Sequence, residues 1–455
     1  MVFYLDLKSL FGFRVHDSGN ELTYHVSLLS NWWKRSFNSM RKRRVFIDVC
    51  AGCGGLSLGL LNAGWRGLFA VEKDSFAFAT LTHNLLKEDK PHFDWPAWLA
   101  KEPISLEALM SKHKNRLKTL RGQVDLLAGG PPCQGFSTFG RRHAQDPRNQ
   151  LFRHYLKLVS LIEPTVVLME NVRGILLPFI KYGPVEGKNR RPLVYAEIIK
   201  EALQEKYEVW SDVMHAKDYG TPQTRPRFIL IGVRKQARSG PSKFDPFGVL
   251  ANIRKDFLRS KGLGTSATTV RQALSDLCRT GNHVEQCAET PRFKQGAYGK
   301  QVSNYQRLLH GNLNGVLANS HRFANHLPST VEKFAWLQVN CAKGKKLEQS
   351  ERGKFANKKH NVYILDPDEP APTVTTLPDD ILHFSEPRIL TVREMARLQS
   401  FPDWFDFKGK YTTGGELRTK ECPRYTQVGN AVPPLLAEAL GKALMRFLES
   451  VEYAK

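Results

Sequence analysis

Between Val45 and Val233 the chain repeats one unit: a short apolar run, a turn, then a stretch of helical spacing. The apolar runs are Val45 to Val49, Gly67 to Glu72, Val124 to Ala128, Thr165 to Glu170, Tyr207 to Val213 and Arg227 to Val233. Helical spacing begins near Leu56 and recurs over Leu151 to Ile162 and Leu193 to Leu203. Apolar runs too short for a helix, alternating with helical stretches, predict an α/β chain with a doubly wound, Rossmann-like and mainly parallel sheet, helices on both faces. Sheets of this kind bind ligands outside the carboxyl ends of their strands. The residues that follow each apolar run are therefore where the chemistry is expected.

The alternation fades after Arg234. Residues 235–387 are rich in loop residues, and the stretch 234–388 holds 24 Lys and Arg against 14 Asp and Glu. A second, smaller and less regular domain is expected there. Order returns at Thr391 to Leu398, where Thr391 and Glu394 are spaced as a capping box. A last helix is predicted from about Pro434 to Leu448. Its apolar stripe (Leu436, Ala439, Leu440, Ala443, Leu444, Phe447) needs a core, which implies that residues 388–455 return to the first domain, 45–234. Residues 1–44 carry several aromatics and end in the basic run Arg41 to Arg44. They read as an N-terminal extension packed on the main domain with a solvated basic edge; a phosphate-contacting arm is the alternative.

Over all 455 residues, 67 Lys and Arg face 44 Asp and Glu, a formal charge of +23. Such a balance favours a polyanionic partner and says nothing about fold. Seven cysteines, an odd number spread over a long chain, do not form a disulfide framework and fit a reducing compartment. Cys50 and Cys53 form a C-x-x-C, but no second pair or His cluster completes a zinc site, so no metal is expected. No apolar run nears the ~20 residues of a membrane span, and no basic segment leads into a cleavage site, so no membrane association is expected.

Four motifs follow strand ends. Asp48-Val49-Cys50-Ala51-Gly52-Cys53-Gly54-Gly55 is a glycine-rich turn before a helix, which lets a ligand approach the backbone. Glu72 ends the next strand, where a carboxylate can accept hydrogen bonds from a ribose diol. Gly129-Gly130-Pro131-Pro132-Cys133-Gln134-Gly135-Phe136-Ser137 holds a thiol on a loop whose prolines fix its course, as a nucleophile should be presented. Glu170-Asn171-Val172 brings a carboxylate to the neighbouring strand end, and thiol plus carboxylate points to covalent addition with proton donation. In Gln223-Thr224-Arg225-Pro226-Arg227, alternation along an extended segment would set both arginines on one face, to bind phosphate or to fix a carboxylate and a carbonyl oxygen.

In this order, and with Arg388-Ile389-Leu390-Thr391-Val392-Arg393-Glu394-Met395-Ala396-Arg397-Leu398 and Tyr425-Thr426-Gln427-Val428-Gly429-Asn430-Ala431-Val432-Pro433-Pro434 after them, these motifs resemble the prokaryotic-type C5-cytosine DNA methyltransferase family over roughly residues 45–448. The resemblance implies an S-adenosylmethionine-dependent enzyme that releases S-adenosylhomocysteine and acts on double-stranded DNA. Cys133 would add to C6 of a flipped-out cytosine, with Gln134 on the mobile catalytic loop. Glu170 would donate a hydrogen bond to ring N3, Arg227 would hold the base oxygen and brace Glu170, and Arg225 would support the same cluster. Gly52, Gly54 and Gly55 would lie against the methionine part of the cofactor and Glu72 would take its ribose. Pro131 and Leu151 would line the pocket, Asn430 and Val432 would complete it, and Cys50, Ala51, Leu56, Lys73 and Ala431 would lie alongside. Residues 235–387 match the family's target-recognition domain in position.

Two positions depart from the family pattern. Many members carry Phe where this chain has Cys50, and no Asp stands in register near Lys101 to Ser105 to meet an adenine amino group, where Glu102 is the nearest acid. The implied setting is a bacterial cytoplasm with the enzyme on nucleoid DNA, a monomer there, in a modification or genome-marking role beside a separately acting cognate restriction endonuclease. A transfer-RNA cytosine methyltransferase on the same scaffold and a catalytically idle DNA-binding protein are the competing readings.

Overall fold

All six apolar runs are strands of one sheet. The computed structural model describes residues 43–87, 92–131, 150–178, 194–237, 245–311, 313, 316–353 and 362–453. The strands are β1 (Val45–Val49), β2 (Arg66–Val71), β3 (Leu126–Gly129), β4 (Val166–Val172), β5 (Tyr207–His215) and β6 (Pro226–Arg234), and their order across the sheet is β2-β1-β3-β4-β6-β5. β1 runs parallel to β2 and β3, and β3 parallel to β4. β6 alone runs against the rest, antiparallel to both β4 and β5. The link from β5 to β6 is shorter than the dozen or so residues that a parallel crossover needs, so these two strands pair as direct neighbours.

The central strands are buried almost throughout, as a sheet covered on both faces requires, and successive residues face alternate cores. Phe46, Leu126, Ala128, Val166, Leu168, Ile229 and Ile231 face one core. Ile47, Val49, Leu127, Val167, Met169, Phe228 and Leu230 face the other. The second core is closed by the helices Leu106–Lys112, Lys114–Thr119, Gln150–Ile162 and Tyr195–Gln204. The first is closed by Gly55–Asn62 and by the last helix, Pro434–Tyr453, which runs past the expected end at Leu448. The return of the chain is thus a packing fact: Trp65 Nε1 donates to Gly441 O at 2.9 Å, joining the first helical turn region to the last helix.

The helix Pro246–Ser260 falls inside the stretch expected to be irregular (235–387). Leu250, Ile253, Phe257 and Leu258 nevertheless join the first core, and Lys261 Nζ pairs with the buried Glu438 of the last helix at 2.7 Å. The change of composition at 235 is therefore not a break in packing; the apolar spacing of this helix is masked by the basic residues between. Beyond it lies a three-stranded antiparallel sheet, β7 (Val284–Gln286), β8 (Lys294–Ala297) and β9 (Leu317–Arg322). Buried ion pairs fasten this region to the returning chain. Arg397, fully buried, reaches Asp403 Oδ2 at 2.5 Å and Asp276 Oδ2 at 2.9 Å. The capping box of Thr391 and Glu394 forms as expected, and Glu394 also pairs with Arg388 at 2.7 Å. Among the described residues no helix is long and apolar enough to cross a membrane.

Gly59 marks where the first and last helices touch. A Cβ there would stand 2.3 Å from Ala437 Cβ and 2.5 Å from the Pro434 carbonyl oxygen, and backbone cannot step aside. Glycine to alanine in a free helix gains about 1 kcal/mol, but overpacking costs about 1–3 kcal/mol or more. Gly59→Ala is expected to destabilise the protein on balance, read as a lower denaturation midpoint at unchanged m-value.

Candidate active site at the carboxyl edge of the sheet

Strand register sets the site. Val49 pairs with Gly129 and with Val71, and Gly129 pairs with Met169. The next residue on each strand therefore falls in one row at the carboxyl edge: Glu72, Cys50, Gly130, Glu170. Sequence motifs that are far apart along the chain become neighbours by pairing alone.

The turn after β1 is built from left-handed residues, with φ of 56° at Cys50, 56° at Gly52 and 95° at Gly54. Gly52 N–H donates to Glu72 Oε2 at 2.9 Å, and Asp74 N–H donates to Glu72 Oε1 at 2.8 Å. Burial pushes the Glu72 carboxyl up, while these two donors pull it down. A Cβ on Gly52 would meet nothing within 4 Å, so open space adjoins the turn there. Gly54 and Gly55 serve packing instead: their Cβ atoms would stand 2.9 Å from Leu85 and 2.4 Å from Val432 O. Ala51 N–H is spent on Val71 O, Leu56 is buried in the core and Lys73 is exposed. Cys50 is half-buried, and burial raises its thiol pKa. Beneath the turn, Asp48 accepts from Ser57 Oγ at 2.6 Å, and its Oδ1 has no partner. Open space beside Gly52, with a strand-end carboxylate bordering it, fits a ligand carrying hydroxyl or cationic groups.

The stem of the thiol loop reaches the same row. At Gly129 a Cβ would press within 2.6 Å of Val49 O, and at Gly130 one would stand 3.2 Å from Glu170 Oε2. Pro131 is buried, and its carbonyl accepts from Asn171 Nδ2 at 2.9 Å. Cys133 and Gln134 lie outside the described residues. Leu151 is half-buried in the helix Gln150–Ile162.

Glu170 is buried, with Oε1 2.8 Å from Arg227 Nε. The pair follows from register: Glu170 is opposite Ile229 and Val172 opposite Arg227, so Arg227 is a diagonal neighbour on the Glu170 face. Arg225 makes its hydrogen bonds elsewhere than on this carboxylate. Arg225 has φ of 22°, which interrupts the extended run, and its guanidinium bonds to backbone carbonyls while lying close enough to Arg227 and Glu170 to feel their charges. It is fully buried and donates to Val374 O at 3.1 Å, Gly429 O at 2.8 Å and Ala431 O at 2.9 Å. Burial among carbonyls, with Arg227 nearby, holds its pKa well below the usual guanidinium value.

Arg225 thereby anchors the C-terminal loop, where Ala431 and Val432 are buried and Asn430 is exposed. Gln223 and Gln399 extend the anchor. Gln223 Nε2 donates to Leu398 O at 3.0 Å and to Gln399 Oε1 at 2.9 Å, and Gln399 Nε2 donates to Val428 O at 2.7 Å. Sequence reasoning gave no role to Asn171, Gln223 or Gln399. Each stands inside or beside a quoted motif, but nothing in a linear pattern distinguishes an amide that bonds to a distant backbone from one that faces solvent.

The model of a family described as C-5 cytosine-specific DNA methylase matches residues 45–446. The type II methyltransferase M.DdeI of Desulfomicrobium norvegicum is 32% identical over 418 residues, covering 89% of this chain and 89% of its own length. The type II methyltransferase M.XorII of Xanthomonas oryzae pv. oryzae is 31% identical, covering 89% of this chain and 85% of its own. A crystal structure from E. coli, described as a DNA modification methyltransferase encoded within a prophage, superposes with a TM-score of 0.59 at 26% identity, covering 89% of this chain and 99% of its own.

Asp48 gives this edge a pH signature. Burial raises its carboxyl from 3.8 to about 7. The folded state then holds a proton that the unfolded chain has lost, so this carboxyl's contribution is fully present below about pH 4 and fades as pH rises to about 7. Asp48→Asn should remove that decline, with a wild-type minus variant slope approaching about 1.4 kcal/mol per pH unit inside the window. Denaturant unfolding of both proteins at several pH values measures it; parallel curves would remove Asp48 as the cause.

Proposed function

The chain belongs to the C-5 cytosine-specific DNA methylase family, and from that premise we propose that it methylates C5 of a cytosine rotated out of duplex DNA, through a transient bond from Cys133 to C6. The observation that carries this reading is the row at the sheet edge, where the stem of the Cys133 loop lies beside the Glu170–Arg227 pair and one strand away from the turn at Gly52.

The Cys133 thiolate adds to C6 and its electron pair passes through the ring to C5. Glu170 meets ring N3 through Oε2, the oxygen turned toward Gly130 and not toward the Arg227 Nε contact. In that role the carboxyl carries the proton it donates, which offsets charge building on the ring. Arg227 fixes the carboxyl through Nε on Oε1 and is the residue assigned to the base oxygen. Gln134, next to Cys133 in the sequence, is assigned to the same catalytic segment. S-adenosylmethionine, when bound, supplies an electrophilic methyl group for C5 and leaves as S-adenosylhomocysteine. The C5 proton then passes to a base or water, and elimination returns Cys133 as thiolate.

For the cofactor, the edge of the Gly52 turn and Glu72 are the residues that would hold the methionine and ribose parts, with Pro131, Leu151 and the Ala431–Val432 backbone around them. Cys50 and Lys73 border the same edge. Arg225 acts at a distance, by fixing the loop that carries Asn430, Ala431 and Val432. Turning the cytosine out of the stack costs a few kcal/mol, offset by pocket contacts. Residues within 235–387 supply target recognition: phosphate contacts that depend on salt and a few side chains that read base edges. The protein works as a monomer on DNA, as the modification half of a pair whose endonuclease acts separately.

A duplex containing 5-fluorocytosine in its target tests the chemistry, because fluorine cannot leave as a proton does and the adduct persists. With cofactor, the wild type should form a denaturation-resistant adduct and Cys133→Ser should form none while still binding duplex. Glu170→Ala should lower kcat by about 10²–10⁴. Glu72→Ala should raise the cofactor KM more than it lowers kcat. Undiminished methylation by Cys133→Ser would remove the thiol from the reaction, and equal transfer to transfer RNA in place of duplex DNA would move the substrate to the competing class.

A further inference from the structure

A cavity of about 490 Å³ opens outside the site described above, between the three-stranded sheet and the segment that leads to the last motif. It is lined by Phe293, Arg322, Lys410, Tyr411 and Arg424, with Glu289 at its rim. Arg322, at the end of β9, is its distinctive member. Its guanidinium lies 4.0 Å from the Phe293 ring centroid and 3.7 Å from that of Tyr411. Rings on its faces leave a guanidinium only its in-plane edge to donate from. Of its five N–H groups, one donates to Thr290 Oγ1 at 3.3 Å. Among the described residues no carboxylate pairs with it.

The other cations at the cavity are compensated. Arg424 reaches Glu289 Oε2 at 2.8 Å, Ser320 Oγ at 3.2 Å and Gly409 O at 2.9 Å. Lys410 pairs with Glu421 at 2.8 Å. Arg322 is left as the cation with donors to spare, half-buried and stacked between two rings. The ring of Tyr411 already carries Arg322 and, at 4.3 Å, Arg424, so the cavity offers donors to a ligand and not an open aromatic face.

We propose that this cavity seats one backbone phosphodiester of the duplex, held by the in-plane edge of Arg322 with Arg424 and Lys410 behind it. A planar fork pre-set between two rings suits the two free oxygens of a phosphodiester and loses little side-chain freedom on binding. The seat rests on the reading of the chain as an enzyme of duplex DNA. It ties the three-stranded sheet to the segment entering the last motif through the substrate itself, and it fixes register along the DNA without reading sequence.

The test is the salt dependence of duplex binding by the full-length protein. One lost phosphate contact lowers the slope of log K against log salt by about 0.9. Arg322→Met, which keeps most of the stacked volume, should lower the slope by about that amount, and Arg322→Lys should recover most of it. Arg259→Ala, which removes an exposed cation from the helix Pro246–Ser260, should leave it unchanged. A second arm needs no folding control: a neutral methylphosphonate walked along the duplex should weaken wild-type binding at one position to which Arg322→Met has become indifferent. A wild-type slope in Arg322→Met, or equal sensitivity of both proteins at every phosphate, overturns the seat. If the wild type still forms the fluorocytosine adduct, the enzyme reading stands without it; no adduct and no duplex binding by the wild type overturns both.

Discussion

Parallel pairing of β1, β3 and β4 in fixed register is the constraint on which the rest depends. Val49, Gly129 and Met169 are partners across three strands. Cys50, Gly130 and Glu170 stand one residue beyond them, in one row. A slip of one residue in β4 would turn Glu170 to the opposite face of the sheet and separate it from Arg227. The antiparallel insertion of β6 matters equally, because it brings Arg227 along the edge of β4 in the reverse direction and sets it diagonally from Glu170. Buried apolar side chains on both faces of these strands hold the register, so the core and the site are specified by the same contacts.

The second dependency is a buried charge whose hydrogen bonds go to backbone carbonyls and not to a carboxylate. Arg225 is buried and bonded to three backbone carbonyls, from residues 374, 429 and 431. A buried cation is costly, and carbonyl dipoles at close range, with the Glu170 charge nearby, offset part of that cost. The result joins three distant parts of the chain at one point behind the sheet edge. The last motif is thus held from below by Arg225 and by the Gln223–Gln399 pair, while Val432 O closes against Gly55. Removing the guanidinium would leave several carbonyls unpaired at once.

The region between β6 and the last motif shares the first apolar core, through residues such as Leu250, Leu274, Tyr305 and Val374, and is fastened further by buried ion pairs. Arg397 with Asp276 and Asp403, and Arg388 with Glu386 and Glu394, are pairs from which water is excluded. Such pairs contribute little net stability over apolar residues of equal volume, but breaking one leaves a buried charge unpaired, so they specify one arrangement strongly.

The sequence by itself determined the six strands, the two-sided sheet, the capping box at Thr391 and the return of the last helix, because each is written in local periodicity or capping chemistry. It also marked Glu72, Glu170 and the glycine-rich turn, since strand ends are where such a sheet exposes its chain. Only the tertiary structure decided that Arg227 pairs with Glu170 while Arg225 bonds to carbonyls of the returning chain. The same holds for Gly55, which packs on Val432, for the helix Pro246–Ser260, which belongs to the first core, and for Arg322, stacked between rings 29 residues before it and 89 after it in the chain. Those outcomes depend on contacts between segments distant in sequence, and no local pattern encodes which distant backbone or ring a side chain will meet.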